Sequence, residues 1–150
     1  MGVEVNGVNE VISAIREGVE EVVSEVIEGF VSIGERVVGG VVSGELSSWN
    51  DQTGNLRSSV GYIVIRDGDV KAEGGFQSYG EADEGPSRGR AYARSLISLY
   101  PTGVALIIVA GMEYAAYVEA MDNKTVLAQG ELETERLVNE LVERLNRRYS

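Results

Sequence analysis

Thr53-Gly54-Asn55-Leu56-Arg57-Ser58-Ser59-Val60-Gly61-Tyr62 is the stretch on which the fold turns, because the apolar period changes across it. Upstream, hydrophobic residues recur at helical spacing. Downstream, they fall in short apolar runs bounded by turn residues, the habit of strands. Within the stretch, Thr53 suits an N-cap, its hydroxyl taking a backbone N–H from the first turn of a short helix. Leu56 and Val60 share one face of that helix and point inward, which leaves Arg57 and Ser58 pointing outward. Gly61 lets the chain swing into a strand that starts at Tyr62. The stretch converts helix into sheet and sets one arginine, Arg57, at the corner.

Working back from this corner, Val8, Ile12, Ile15, Val19, Val22, Val26, Phe30, Ile33, Val37 and Val41 form one helical stripe. Glu10, Glu17, Glu20, Glu21, Glu25, Glu28 and Glu35 occupy the other faces. The spacing predicts one long helix over about 8–42, despite the strand preference of its valines. Gly18, Gly29 and Gly34 mark a kink or a close approach by another backbone, and Gly39-Gly40 or Gly44 ends the helix. A helix of this length overhangs a small sheet, leaving part of its stripe for a neighbouring subunit; the alternative is a helix lying wholly across its own sheet. The polar connector from Glu45 to Gln52 holds the single tryptophan, Trp49, either a lid on the core or an interface anchor.

Working forward, Tyr62 to Arg66 reads as a strand, Asp67-Gly68 as a type I′ turn, and Asp69 to Phe76 as the returning strand. The remaining ligands of a calcium loop do not follow the two aspartates, so the turn accounts for them. Gln77 to Gly89 is a loop whose Glu81, Asp83 and Glu84 read as an exposed acidic surface rather than a cation site. Ala91 to Tyr100 reads as a short helix with Leu96, Leu99 and Tyr100 inward and Arg88, Arg90 and Arg94 outward, stopped by Pro101. In so acidic a chain those arginines suit carboxylates on a partner subunit better than phosphate. Val104 to Gly111 lacks alternation, as a strand buried on both faces does. Glu113-Tyr114-Ala115-Ala116-Tyr117-Val118-Glu119 follows as a strand-to-helix corner suited to close packing, and Val126 to Arg148 as the last helix. Arg144, Arg147 and Arg148 suit the negative pole of that helix.

Composition narrows the chemistry. The 150 residues fit one domain, 43% hydrophobic and 25% charged, as in ordinary globular proteins. With no cysteine and no histidine, disulfides, zinc sites, Cys nucleophiles and His-based acid–base pairs are excluded. A net charge of −11 argues against wrapping nucleic acid, yet suits a surface past which DNA slides without sticking. No secretion signal is read at the acidic N-terminus, and no apolar run approaches the ~20 residues of a membrane span, so a soluble protein is expected.

A long N-terminal helix, Thr53, Gly54, Leu56, Arg57 and Ser59 before a strand and hairpin, and later Tyr114, Ala115, Tyr117, Val118 and Glu119 after a buried strand form a pattern across most of the chain. In this it resembles the tailed-phage tail-completion or head–tail joining proteins, also called minor tail components. Two segments depart from that pattern: Ala120 to Thr125, where a glycine followed by a threonine or an aromatic residue is common, and Gln77 to Pro101, which reads as an insertion.

The resemblance implies an α+β fold, an antiparallel β-sheet with a long N-terminal helix, a short middle helix and a C-terminal helix packed on it. It implies a structural virion protein without catalysis, cofactor or metal, assembled in the host cytoplasm. Its subunits would form a homo-oligomeric ring of about six or twelve copies at the phage neck, between connector and tail-tube proteins. DNA would only pass through the bore, and no membrane is involved. The expected subunit interface comprises Trp49, Thr53, Leu56, Arg57, Arg88, Arg90, Arg94, Tyr114, Tyr117 and Glu119. Two other classes compete. One is a carboxylate-only hydrolase using Glu113 and Glu119. The other is a non-viral interaction module, a small oligomer with the first helix as a coiled-coil arm, although glycines and irregular spacing disfavour a heptad seam.

Overall fold

The computed structural model describes residues 13–15, 17–43, 58–77, 85–110, 113–119, 124–127 and 131–149; at 110, 113–119, 124–127, 131–132 and 149 it gives the course of the backbone. Helix α1 spans Glu20–Ser43, strand β1 Gly61–Arg66 and strand β2 Asp69–Gly75. Helix α2 spans Gly85–Ser95, followed by a 3-10 turn at Ile97–Leu99. Strands β3 (Val104–Ala110), β4 (Glu113–Glu119) and β5 (Lys124–Leu127) and helix α3 (Glu131–Tyr149) complete the chain. The fold is α+β, as expected: one antiparallel sheet of order β2-β1-β3-β4-β5 with the helices packed on it.

The register of β1 against β3 explains why VALIIVA shows no alternation. Tyr62 pairs with Ile108 and Val64 with Leu106, and these residues share one core with Val104 and the apolar stripes of α1 and α3. Their neighbours Ile63, Ile65, Ala105, Ile107 and Val109 form a second core with Phe76, Ala93 and residues of the 3-10 turn. Side chains alternate across the sheet, but helices cover both faces, so an alternating pattern of polar residues would leave polar groups buried. The result is three layers: α1 and α3, then the sheet, then α2.

The hairpin forms as its sequence predicts. Asp67 and Gly68 have φ of 50° and 83°, the left-handed pair of a type I′ turn. The Asp67 N–H donates to the Gly103 carbonyl and the Gly103 N–H donates to Asp67 Oδ1, both at 2.8 Å, which ties the turn to the start of β3. In β2, an edge strand, Lys71 is the extra residue of a bulge, and Asp69, Lys71 and Glu73 are exposed; charges and a bulge both discourage edge-to-edge pairing.

Several expectations are corrected. The predicted long helix is interrupted at Gly18, whose φ is +73°. The Gly18 N–H donates to the Ile15 carbonyl at 3.1 Å and the Val19 N–H to the Ala14 carbonyl at 2.9 Å, a Schellman ending for the preceding helical turn. Helix α1 then starts afresh, with the Val19 carbonyl accepting from the Val23 N–H. The periodic spacing runs unbroken through this joint, so periodicity could not reveal it, and Val19, expected in the stripe, is 40% exposed. The helix continues through Gly39-Gly40 to Ser43. Its stripe from Val22 to Val41 is buried on its own sheet and on α3, so this part does not overhang.

Ser58, expected outward, is fully buried, and Gly61 is already the first residue of β1. Helix α2 begins at Gly85, within the expected loop, and stops at Ser95. Leu99, expected inward, is 62% exposed on the 3-10 turn, because tightening from α to 3-10 geometry rotates it off the helical face. Glu113 to Glu119 is a strand rather than a corner, with Ala115 as a bulge against β3. Val126 and Leu127, expected in the last helix, belong to β5, and α3 starts at Glu131.

Tyr62 sets the spacing of this layer. It is 1% exposed, and its ring lies so close to Gly34 of α1 and Gly74 of β2 that a Cβ added at either would stand 2.5 Å from a ring carbon. The hydroxyl donates to Glu35 Oε1 at 3.2 Å. Burial first, then the nearby Glu35 carboxylate, pushes the phenol from its ordinary value of 10.0 up to about 12. Because this folded-state value is raised, the stability it contributes is complete below pH 10 and is lost as pH rises towards 12. Tyr62→Phe should therefore unfold less steeply than wild type between those pH values. The difference should amount to about 2–3 kcal/mol in urea melts. Gly34→Ala should destabilise by about 1–3 kcal/mol in the same assay, ring overlap outweighing the gain in helix propensity.

Candidate functional site

Of the expected interface residues, Trp49, Thr53, Leu56 and Arg57 lie outside the described residues. Tyr114, Tyr117 and Glu119 lie on β4, where the backbone pairs Tyr114 with Val109, Tyr117 with Ile107 and Glu119 with Ala105. Arg88, Arg90 and Arg94 lie on α2, on the opposite side of the sheet from α1 and α3. The acidic loop residues Glu81, Asp83 and Glu84 also fall outside the described residues.

The α2 arginines are built into the fold more closely than the sequence suggests. Arg94 Nη2 donates to Glu73 Oε2 at 3.0 Å, and Arg90 Nε stands 3.4 Å from Glu73 Oε1. The Arg90 guanidinium also lies 5.4 Å from the centre of the Phe76 ring, a cation–π distance. Phe76 reaches this position through a φ of +54°, unusual for a bulky residue, held by its N–H donating to the Val60 carbonyl at 2.7 Å. Arg88 and Arg94 are exposed as expected, whereas Arg90 is half-buried.

Glu73 and Phe76 were missed as partners. Glu73 stands opposite Ile63 and so faces α2, but only the register and the helix placement bring Arg90 and Arg94 to it. Gly89 was also missed: it packs α2 directly on the backbone of Ser59, with a hypothetical Cβ 2.7 Å from Ser59 Cα. The segment that leads into β1 is thus clamped beneath α2.

Ion pairs tie down the other layer. Arg66 at the end of β1 grips Glu20 at the start of α1 through two hydrogen bonds of 2.9 and 2.7 Å. The hydrogen bond from Arg66, then its charge, holds the Glu20 carboxyl below its ordinary value. The support from this pair is present above the usual carboxylate range and is lost as pH falls through the lowered value. Glu133 of α3 is lowered in the same direction, chiefly by its hydrogen bond from Arg136, and it also accepts from Arg36 of α1 at 3.0 Å. Arg148 meets Glu25 at 2.7 Å. Between α1 and α3 runs an open groove of about 600 Å³ lined by Gly29, Ser32, Leu137, Leu141 and Arg144, among others.

Among the described residues, no three carboxylates cluster closely enough to hold a metal ion, and no helix is long and apolar enough to cross a membrane. Glu113 and Glu119, the carboxylates considered for hydrolysis, stand at opposite ends of β4. At roughly 3.3 Å per residue their Cα atoms are about 20 Å apart, well beyond the separation of a glycosidase pair. Comparison with protein-family models, curated proteins and solved structures finds no match to this chain.

The arrangement is one of fitted surfaces, and at Gly89 a helix meets the backbone of another segment directly. Gly89→Ala should lower stability by about 1–3 kcal/mol in urea unfolding, since the added methyl meets rigid backbone.

Proposed function

We propose that this chain is a structural subunit that works by contact rather than catalysis, a ring-forming component of the head–tail junction of a tailed phage. The observation that carries the reading is where its two resemblance blocks fall. In sequence the Thr53–Ser59 block ends two residues before β1, and the Tyr114–Glu119 block lies within β4. Both strands pair with β3, so the second block lies in the same sheet that the first block precedes in sequence. A sheet with one block on one neighbour of its central strand, and the other block just ahead of the opposite neighbour, suits a subunit that must present two flanks to identical neighbours. The net charge of −11 suits a bore through which DNA passes without being gripped.

The coiled-coil alternative has less support, because the stripe of α1 is already covered by the chain's own sheet and α3. The hydrolase alternative is weakened by the span between Glu113 and Glu119.

The test is the mass of the purified protein across a concentration series, with negative-stain images of any large species. Closed rings of about six or twelve copies are the expected outcome. A strict dimer that never grows would overturn the ring and favour a small interaction module.

A further inference from the structure

Among the described residues, the helices on the two faces of the sheet differ in charge. Helix α1 holds five glutamates against one arginine. Of these, Glu20, Glu25 and Glu35 are engaged by Arg66, Arg148 and the Tyr62 hydroxyl. Glu21 and Glu28 are exposed and make no ion pair among the described residues. They lie seven positions apart in sequence, on the same face and about 10 Å apart along the axis, and so form an acidic ridge with Ser32 continuing it.

The opposite layer is different. From Gly85 to Ala110 the chain holds Arg88, Arg90 and Arg94 and no Asp or Glu. On the outer face of α2 the exposed residues are Ser87, Ala91 and Ser95, with Arg88 on one flank and Arg94 on the other. Small side chains between two long ones make a shallow groove, about 9 Å between the arginines along the axis. Arg90 and Arg94 share the single carboxylate of Glu73, so that cluster keeps a net positive charge, and Arg88 has an interaction of its own.

The geometry points to a head-to-tail contact in which the Glu21–Glu28 ridge of one copy seats in the Arg88–Arg94 groove of the next. The occupant of the groove is a second copy of this chain. The sheet stands between the two surfaces, so they cannot meet within one molecule. A contact between different surfaces propagates from copy to copy and closes only as a ring. This inference rests on the ring reading and adds to it the pair of faces that meet. Arg88 and Arg94 act here through charge and shape, so salt should weaken the contact.

The experiment is a charge exchange on the full chain, read by light scattering and native mass spectrometry. Arg94→Glu, Arg88→Glu and the double variant Glu21→Lys/Glu28→Lys are prepared, with thermal melts by circular dichroism to confirm that each folds. Each variant alone should self-associate at least about tenfold more weakly than wild type. An equimolar mixture of Arg94→Glu with Glu21→Lys/Glu28→Lys should recover assembly, with the two variants alternating.

Rings of normal size and affinity from every variant alone would overturn this contact and leave the ring reading standing. Failure of the mixture to recover, with both variants folded, would also overturn the contact. A wild-type protein that stays monomeric at every concentration would remove both. Arginine-dependent DNA binding with unchanged oligomeric state would assign the groove to nucleic acid instead.

Discussion

The ring of Tyr62 pressed between two glycines is the contact on which the α1 layer depends. An aromatic ring on the second residue of β1 would hold a helix away from the sheet if the facing positions carried side chains. Gly34 on α1 and Gly74 on β2 remove that obstacle, so helix, ring and edge strand stack directly. The hydroxyl reaches Glu35 at the margin of the core, which lets the ring be buried while its polar end stays hydrogen-bonded. On another side of the same helix, Gly29 admits Leu141 of α3. One helix thus accepts the sheet through one glycine and its neighbouring helix through another, and its apolar stripe is covered from both directions.

The α2 layer is joined by different means. Its own apolar area is small, with Ala93 the fully buried side chain of the helix. Attachment relies on backbone contact at Gly89, on the turn residues Ile97 and Tyr100, and on the Phe76–Arg90–Glu73–Arg94 cluster. Partly exposed ion pairs of this kind contribute modestly to stability. Their greater effect is geometric, since a shared carboxylate fixes where two arginines stand. Among the described residues, this is how a chain of net charge −11 gathers two arginines at one carboxylate.

These two modes of attachment give the domain unlike sides. The α1–α3 side is broad, acidic and cross-braced by Arg36–Glu133 and Arg148–Glu25. The α2 side is narrow and carries arginine. Unlike sides permit head-to-tail contacts, whereas identical flanks produce closed pairs.

The amino-acid sequence by itself determined the elements whose signals are local. Asp67-Gly68 specified its turn because few residues tolerate two successive positive φ values. The unbroken apolar run of β3 specified a strand covered on both faces. The stripe from Val22 to Val41 specified a buried helix. Tertiary structure decided what local pattern could not carry. Gly18 is one of three glycines that mark a kink or a close approach, and periodicity does not tell which of them breaks the helix, since a Schellman turn can restart a helix with the apolar spacing intact. Ser58 is buried because α2, distant in sequence, lies over its neighbour through Gly89. Val126 pairs with Tyr117 as a strand because β4 offers it an edge, overriding its place before a helical stripe. Glu73 meets Arg90 and Arg94 only because the hairpin register turns it toward α2. The last three outcomes depend on residues supplied by other elements, and only the packed layers bring those together.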